Sequence, residues 1–337
     1  MAGYETNIGR APVFQDAAWS AGRFLRRDHS LPAEPEEDVL YQGDGAALHS
    51  MQSTMKAVLV VHGGAWAIPD CMSESSVGGV KAATLGGFQV LKRGGTALDA
   101  VETAVRALED DPVFDAGHGS VLNACGEVEL DAIIMDGRTL ATGAVSSVRN
   151  IAHPVTLARA VMEQTDHVML TDRGANLFAD SLGIATVTNE VLVTEYEREE
   201  WRKQQKYSVG VKNLFNSQCD HDTVGAVALD SHGDIACATS TGGIRNKMVG
   251  RVGDSPIIGK SLSEAVDSSL QYMAERVNGG GGVIAVSRAG DWTAQFTTER
   301  MAWAAMEGDV LSYGLNPKEV FQETLPDFQR VVPQHQS

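Results

Sequence analysis

His221-Asp222-Thr223-Val224-Gly225-Ala226-Val227-Ala228-Leu229-Asp230-Ser231-His232-Gly233-Asp234-Ile235-Ala236-Cys237-Ala238-Thr239-Ser240-Thr241-Gly242-Gly243 is the stretch on which the reading of this chain turns. Two small apolar runs flank a polar, Gly-containing turn, which is the signature of a β-hairpin. A three-residue loop at Ser231-His232-Gly233 sets Gly where a left-handed backbone is wanted. With His232 at the tip, Thr223 falls opposite Thr241, their Cβ atoms roughly 5 Å apart. Taken alone, the two threonines are explained as well by an ordinary Thr–Thr cross-strand pair. The sequence on either side widens the choice.

Upstream, Glu195 to Asp222 is rich in Glu, Lys, Arg and Gln and has little apolar periodicity, so it reads as a mobile surface segment. A strand that begins abruptly after it, with Asp222-Thr223 at the junction, reads as a self-cleavage point. A threonine exposed as a new N-terminus carries nucleophile and base on one residue: the hydroxyl attacks and its own α-amine takes the proton. That amine has an ordinary pKa of about 7.7–8.0, so a useful fraction is neutral at cellular pH. Downstream, Arg251 and Asp254 supply complementary charges. A guanidinium grips a carboxylate through two parallel hydrogen bonds, and a carboxylate holds a free α-amino group. A small amino-acid substrate needs both; a surface Arg–Asp ion pair beside a Gly-Pro loop fits the same residues.

These motifs resemble the plant-type asparaginase and isoaspartyl peptidase family of threonine N-terminal-nucleophile hydrolases. The resemblance rests on His221 to Asp230, on Ser240-Thr241-Gly242-Gly243 and on Gly250-Arg251-Val252-Gly253-Asp254-Ser255-Pro256. It extends upstream to His62-Gly63-Gly64-Ala65-Trp66 and Gly117-His118-Gly119-Ser120-Val121-Leu122-Asn123, and covers the chain from about Met55. It implies a four-layer αββα sandwich and a precursor that cuts itself between Asp222 and Thr223 into an α piece, 55–222, and a β piece, 223–337. It implies a homodimer of αβ units, with Thr223 as nucleophile and Thr241 orienting its hydroxyl or amine. Arg251, Val252, Gly253 and Asp254 would bind substrate. The loop 108–114 would hold a structural sodium ion through backbone carbonyls. The expected activity is release of ammonia from L-asparagine and of L-aspartate from isoaspartyl dipeptides.

Composition bounds the same reading. The 337 residues with 43% hydrophobic content and 35 Gly suit a compact α/β-type enzyme. A net charge of −17 argues against nucleic acid or an anionic membrane surface as a partner. Four widely spaced cysteines suggest reduced thiols in a cytoplasmic protein rather than a disulfide frame or zinc site. No apolar run is long enough to span a membrane. Residues 1–54 differ from the rest and read as a disordered extension; Glu5 and Asp16 argue against a transit peptide.

Along the body, Ala57 to His62 reads as a buried strand entering a Gly turn, where Gly63 and Gly64 let backbone come close to another group. A plain strand-to-loop turn with a core histidine at His62 reads equally well. Helices are expected over Ser76–Arg93, from the N-cap Thr96 to before Pro112, over Pro154–Gln164 and Arg173–Leu182, and from the capping box Ser261-Leu262-Ser263-Glu264 to about Val277. Strands are expected over Val128–Met135, Leu140–Val148, Val283–Ser287 and Trp292–Phe296. Segregated helices and antiparallel hairpins give an α+β class, with stacked sheets covered by helices.

Two departures from the family pattern stand out. Asp115 occupies a position where relatives commonly carry Asn, and an ionised carboxylate only accepts hydrogen bonds. After Pro256-Ile257-Ile258-Gly259 the chain runs directly into Lys260-Ser261, whereas relatives continue with a Gly-rich strand, a Thr-Thr-Gly-His-Gly-type segment and a helix. In the family that Thr-Gly pair binds substrate and stabilises the oxyanion. An inactive hydrolase-like partner protein and an aspartylglucosaminidase- or threonine-aspartase-like hydrolase are the alternative readings.

Overall fold

Val58-Leu59-Val60-Val61 carries no polar residue because both faces of its strand are covered: all nine positions of β1, Val58–Trp66, are buried. The computed structural model describes residues 56–205, 223–252 and 280–325, all within one compact unit. After β1 come α1 (Asp70–Lys92), α2 (Ala97–Asp110), β2 (Leu130–Asp136), β3 (Thr142–Val148), α3 (Pro154–Gln164) and β4 (Met169–Thr171). Then follow α4 (Asp172–Ser181), α5 (Asn189–Leu192), α6 (Glu195–Gln205), β5 (Val224–Leu229) and β6 (Ile235–Thr241). The described chain closes with β7 (Gly282–Val286), β8 (Trp292–Phe296), β9 (Arg300–Glu307), β10 (Val310–Gly314) and β11 (Phe321–Thr324).

Nine strands form one sheet in the order β11-β10-β9-β1-β5-β6-β2-β3-β4, antiparallel except for the β3–β4 pair. Helices α1, α2 and α3 cover one face, where Leu59, Val61, Val101, Val105, Leu108 and Val224 join one core. The hairpin of β7 and β8 covers the other face, with Val286 packed among Val58, Val60, Val227, Leu229 and Trp303. Trp292 of that hairpin meets Trp303 with ring centroids 5.6 Å apart. The period-two alternation of a strand therefore sorts β1 and β5 into a helix-facing set and a hairpin-facing set. The class is α+β, with helices, sheet and hairpin as three successive layers among the described residues.

The elements expected within the described residues are present with end shifts of a few residues. Thr96 caps α2 through its hydroxyl, and Asp99 completes a capping box. Two expectations change. The strand from Ala57 does not end in a Gly turn at His62; β1 runs on to Trp66, and Gly63-Gly64 form a bulge where the register with β9 shifts between His62 and Ala65. The polar stretch from Glu195 begins as a helix, because two side chains dock it in place of an apolar stripe. Glu197 makes a buried ion pair with Arg245 at 2.8 Å, and Trp201 Nε1 donates to the Asn123 carbonyl at 2.8 Å. Strands β9, β10 and β11 had no sequence expectation, and they complete the sheet beside β1. Residues 1–54, the remainder of the polar segment to Asp222 and the helix expected over Ser261–Val277 lie outside the described residues.

Candidate active site

Hairpin register brings the two threonines together. β5 and β6 pair from Leu229↔Ile235 to Val224↔Ser240, so one further residue sets Thr223 against Thr241. The turn is built as the residue types require: Gly233 takes φ +83°, and Asp230 Oδ1 accepts the N–H groups of His232 and Asp234 at 2.9 and 3.1 Å. Alternation places Thr223, Gly225, Thr239 and Thr241 on the hairpin-facing side of the sheet, away from the helices. Thr223 is half-buried at the head of β5, and Thr241 is buried.

Thr241 is followed at once by a tight glycine turn. Gly243 N–H donates to Thr241 Oγ1 at 2.8 Å, and Gly243 takes φ +84°. Gly242 N–H donates to the Asp115 carbonyl at 2.9 Å, and a Cβ at Gly242 would lie 2.1 Å from Asp115 Oδ1 and 2.7 Å from Ser120 Cβ. Only glycine lets this backbone come so close. Asp115 is buried and its Oδ1 accepts the Val121 N–H at 2.9 Å. The carboxylate is thus used as an acceptor, the one role it shares with an amide.

Gly63 does let another group come close, and that group is an aromatic ring. A Cβ at Gly63 would stand 2.3 Å from the Phe114 ring, next to Asp115. Gly64, at φ +100°, donates its N–H to His62 Nδ1 at 3.3 Å. His62 is in register with Gly225, and its Nε2 lies where a Gly225 side chain would begin. Burial pushes the His62 imidazole down to about 4, so it is neutral at pH 7.

Arg251 is half-buried and sits over the same glycine turn: a Cβ at Gly243 would be 3.3 Å from its Nη1 and 3.2 Å from Lys247 Nζ. Val252 follows, 38% exposed. Asp222, Gly253 and Asp254 lie outside the described residues. The structure therefore gathers Thr223, Thr241, Asp115, Gly63, Gly64 and Arg251 around the start of β5 and the end of β6. It adds Ser120, Glu129 and Lys247, which sequence reasoning assigned no role. A lysine in a polar loop ordinarily reads as solvated charge; here Lys247 is 2% exposed and its Nζ donates to the Glu129 carbonyl at 2.7 Å.

In the loop 108–114 the carbonyls of Pro112 and Phe114 turn towards Gly119, 2.5 and 2.8 Å from where its Cβ would lie, and Gly119 takes φ +101°. Backbone carbonyls are hard oxygen donors, so these two would contribute to the shell of a sodium ion held by this loop. Among the described residues no helix is long and apolar enough to cross a membrane.

Known proteins match this arrangement over most of the chain. The asparaginase family model matches residues 55–260 and 258–315. The isoaspartyl peptidase/L-asparaginase of Xenopus laevis is 49% identical over 298 residues, covering 77% of this chain and 96% of the frog protein. The proteins of that name from Homo sapiens and Danio rerio are 46% and 44% identical, each covering 81% of this chain and 100% and 99% of their own lengths. The frog alignment takes in about 260 of this chain's 337 residues, so roughly 38 of its 298 positions face no residue here. The two matched segments of the family model overlap at 258–260, on the Gly259–Lys260 junction. With the family model matched across 55–315 and these relatives aligned nearly end to end, the chain belongs to the asparaginase family.

Proposed function

We propose that this chain is a self-cleaving threonine hydrolase that releases ammonia from L-asparagine and L-aspartate from isoaspartyl dipeptides. The observation that carries this is the register of the β5–β6 hairpin, which sets Thr223 against Thr241 at the end of the sheet where the Gly242-Gly243 turn and Arg251 converge. In the first step Thr223 Oγ attacks the Asp222 carbonyl carbon. The peptide C–N bond breaks as the ester forms, and water opens the ester to leave Asp222 as a carboxylate and Thr223 as an amine. The cut leaves residues 1–222, whose hydrolase part is 55–222, and residues 223–337.

In turnover the same Oγ attacks the side-chain carbonyl of the substrate, and the Thr223 α-amine takes the proton. Thr241 Oγ1 already accepts from Gly243, so its own hydroxyl hydrogen is left to orient Thr223. The amine or ammonia leaves with the proton, and water releases aspartate from the acyl-enzyme. Arg251 takes the substrate α-carboxylate and Asp254 its α-amino group, with Val252 and Gly253 lining the same subsite. Asp115, Gly63 and Gly64 shape the wall against Gly242 and Phe114. The carbonyls of Pro112 and Phe114 would hold sodium, which would brace the loop that leads into Asp115. The remainder of this reading is a four-layer αββα sandwich, a homodimer of αβ units and a cytoplasmic location, supported by the family membership.

A second reading, an inactive hydrolase-like partner, is favoured by the roughly 38 relative positions that face no residue here. One preparation tests both. The full-length chain should resolve into two fragments on a denaturing gel, with a new N-terminus at Thr223, and should release aspartate from a β-aspartyl dipeptide. Thr223→Ala should remain a single band. Two fragments in that variant, cut at the same place, would rule the mechanism out; cleavage of the parent chain without any aspartate release would favour the inactive partner.

A further inference from the structure

Glu129 closes the loop between β6 and Arg251 from beneath, and does so with both its backbone and its side chain. Its carbonyl accepts Lys247 Nζ at 2.7 Å. Its Oε2 accepts the Gly250 N–H at 3.1 Å, and its Oε1 accepts Arg149 Nη2 at 2.6 Å. Glu129 is 1% exposed. Lys247 is nearly as buried, and the charges that reach its ammonium are Asp131, Asp115, Glu129 and, with opposite effect, Arg251. Asp131 is paired with Thr241 across β2 and β6, and Asp115 holds Gly242. The loop is pinned at its middle as well, by Asn246 N–H to the Leu122 carbonyl and Ala124 N–H to the Lys247 carbonyl, both at 2.7 Å.

Burying an ammonium is costly unless it is paired, so a lysine here is retained for what it holds. Its Nζ and Arg251 Nη1 lie 3.2 and 3.3 Å from the same point over Gly243. The lysine is committed to the Glu129 carbonyl, whereas Arg251 is half-exposed beside it. The division of labour is then a fixed inner cation and an outer cation that meets the ligand. We propose that Glu129 and Lys247 are positioning residues: a clip across residues 243–251 that fixes where Arg251 presents its guanidinium relative to Thr241. This rests on the reading that Arg251 binds the substrate carboxylate.

A residue that only supports the fold would shift stability, and a positioning residue shifts KM against kcat. The full-length chain would be compared with Lys247→Met, Glu129→Ala and Glu129→Gln. Each variant should still cut itself at Thr223. KM for a β-aspartyl dipeptide should rise about tenfold or more in Lys247→Met and Glu129→Ala while kcat stays within about threefold. Glu129→Gln keeps an acceptor oxygen for Gly250 and should recover most of the loss. Unchanged KM in both of the first two variants would overturn the proposal, as would a fall in kcat alone. Exchange of the Gly250 amide needs no turnover and separates the two failures. It should quicken about tenfold or more in Glu129→Ala. An unchanged exchange rate overturns the clip, whereas a quickened rate in a chain that hydrolyses nothing retains the clip and removes the proposed function.

Discussion

Thr241 Oγ1 accepts the Gly243 N–H at 2.8 Å, a bond that does not use its own hydroxyl hydrogen. Arg251 is the complementary single residue, a cation over Gly243 at the edge of the site. Arg251→Ala should raise KM for an aspartyl substrate by about a hundredfold, the loss of a charge-assisted bidentate contact worth roughly 3 kcal/mol, while self-cleavage persists. An unchanged KM would return Arg251 to the role of surface ion-pair partner. A different residue governs the pH dependence of stability. Burial pushes the Glu109 carboxyl up to about 8, although the nearby Ser240 hydroxyl and the Val155 N–H that Glu109 accepts at 3.0 Å pull the other way. The folded state therefore holds a proton on Glu109 that the unfolded chain gives up above about 4.5, and stability falls as pH rises towards 8. His62 acts in the opposite sense, its folded value of about 4 lying below the ordinary 6.5, so its contribution rises with pH between those limits. Above pH 6.5 Glu109 acts without that offset. Between pH 6.5 and 8 the parent chain should lose about 2 kcal/mol relative to Glu109→Gln, read from denaturant melts, at about 1.4 kcal/mol per unit. Parallel pH curves for the two proteins would show that Glu109 ionises normally.

The β5–β6 hairpin is held by its turn as much as by its ladder. Asp230 is 1% exposed, its Oδ1 serves two turn amides, and its Oδ2 accepts the Ala97 N–H at 3.0 Å. That last bond ties the hairpin that carries both threonines to the first turn of α2, where a carboxylate also meets the positive end of the helix. Asp230→Ala removes three acceptor contacts from buried or half-buried amides. It should cost about 2–4 kcal/mol in urea unfolding and slow self-cleavage, since the register of Thr223 depends on the turn. A loss below about 0.5 kcal/mol would mean that the ladder alone fixes the hairpin.

Across the whole molecule the candidate site depends on segments far apart in the chain. The bulge in β1, the Asp115 loop, the glycine turn after β6 and the Glu129 clip each come from a separate region. The resemblance implies a Thr-Gly segment that does not follow Gly259 in this sequence, at the point where the two matched segments of the family model overlap. Without it the developing oxyanion loses expected donors, and one lost donor costs roughly 3–4 kcal/mol of barrier, on the order of a hundredfold to a thousandfold in rate. Inserting a relative's segment between Gly259 and Lys260 should raise turnover of a β-aspartyl dipeptide by at least that factor in purified protein. Equal turnover by the two chains would show that another group supplies the oxyanion site.

The sequence by itself determined what is local. Alternation and the Asp230-to-Asp234 turn residues specify the hairpin register; Thr96 and Asp99 specify the start of α2; Pro154 opens α3 where it was expected. Thr223, the glycine pair and Arg251 draw a functional reading from sequence because a nucleophile, a close approach and a carboxylate grip each demand a particular residue type. Tertiary structure decided the rest, because it turns on partners distant in the chain. β9 pairs with β1 across more than two hundred residues, with no local pattern to announce it. Helix α6 lacks an apolar stripe and is docked by Glu197 on Arg245 and Trp201 on the Asn123 carbonyl. Lys247 and Glu129 carry no local signal in the sequence, and they meet as buried charges only because the start of β2 and the loop after β6 come together. Hydrophobic periodicity records which face of an element is covered, but a buried polar contact depends on which two elements meet, and only the folded chain decides that.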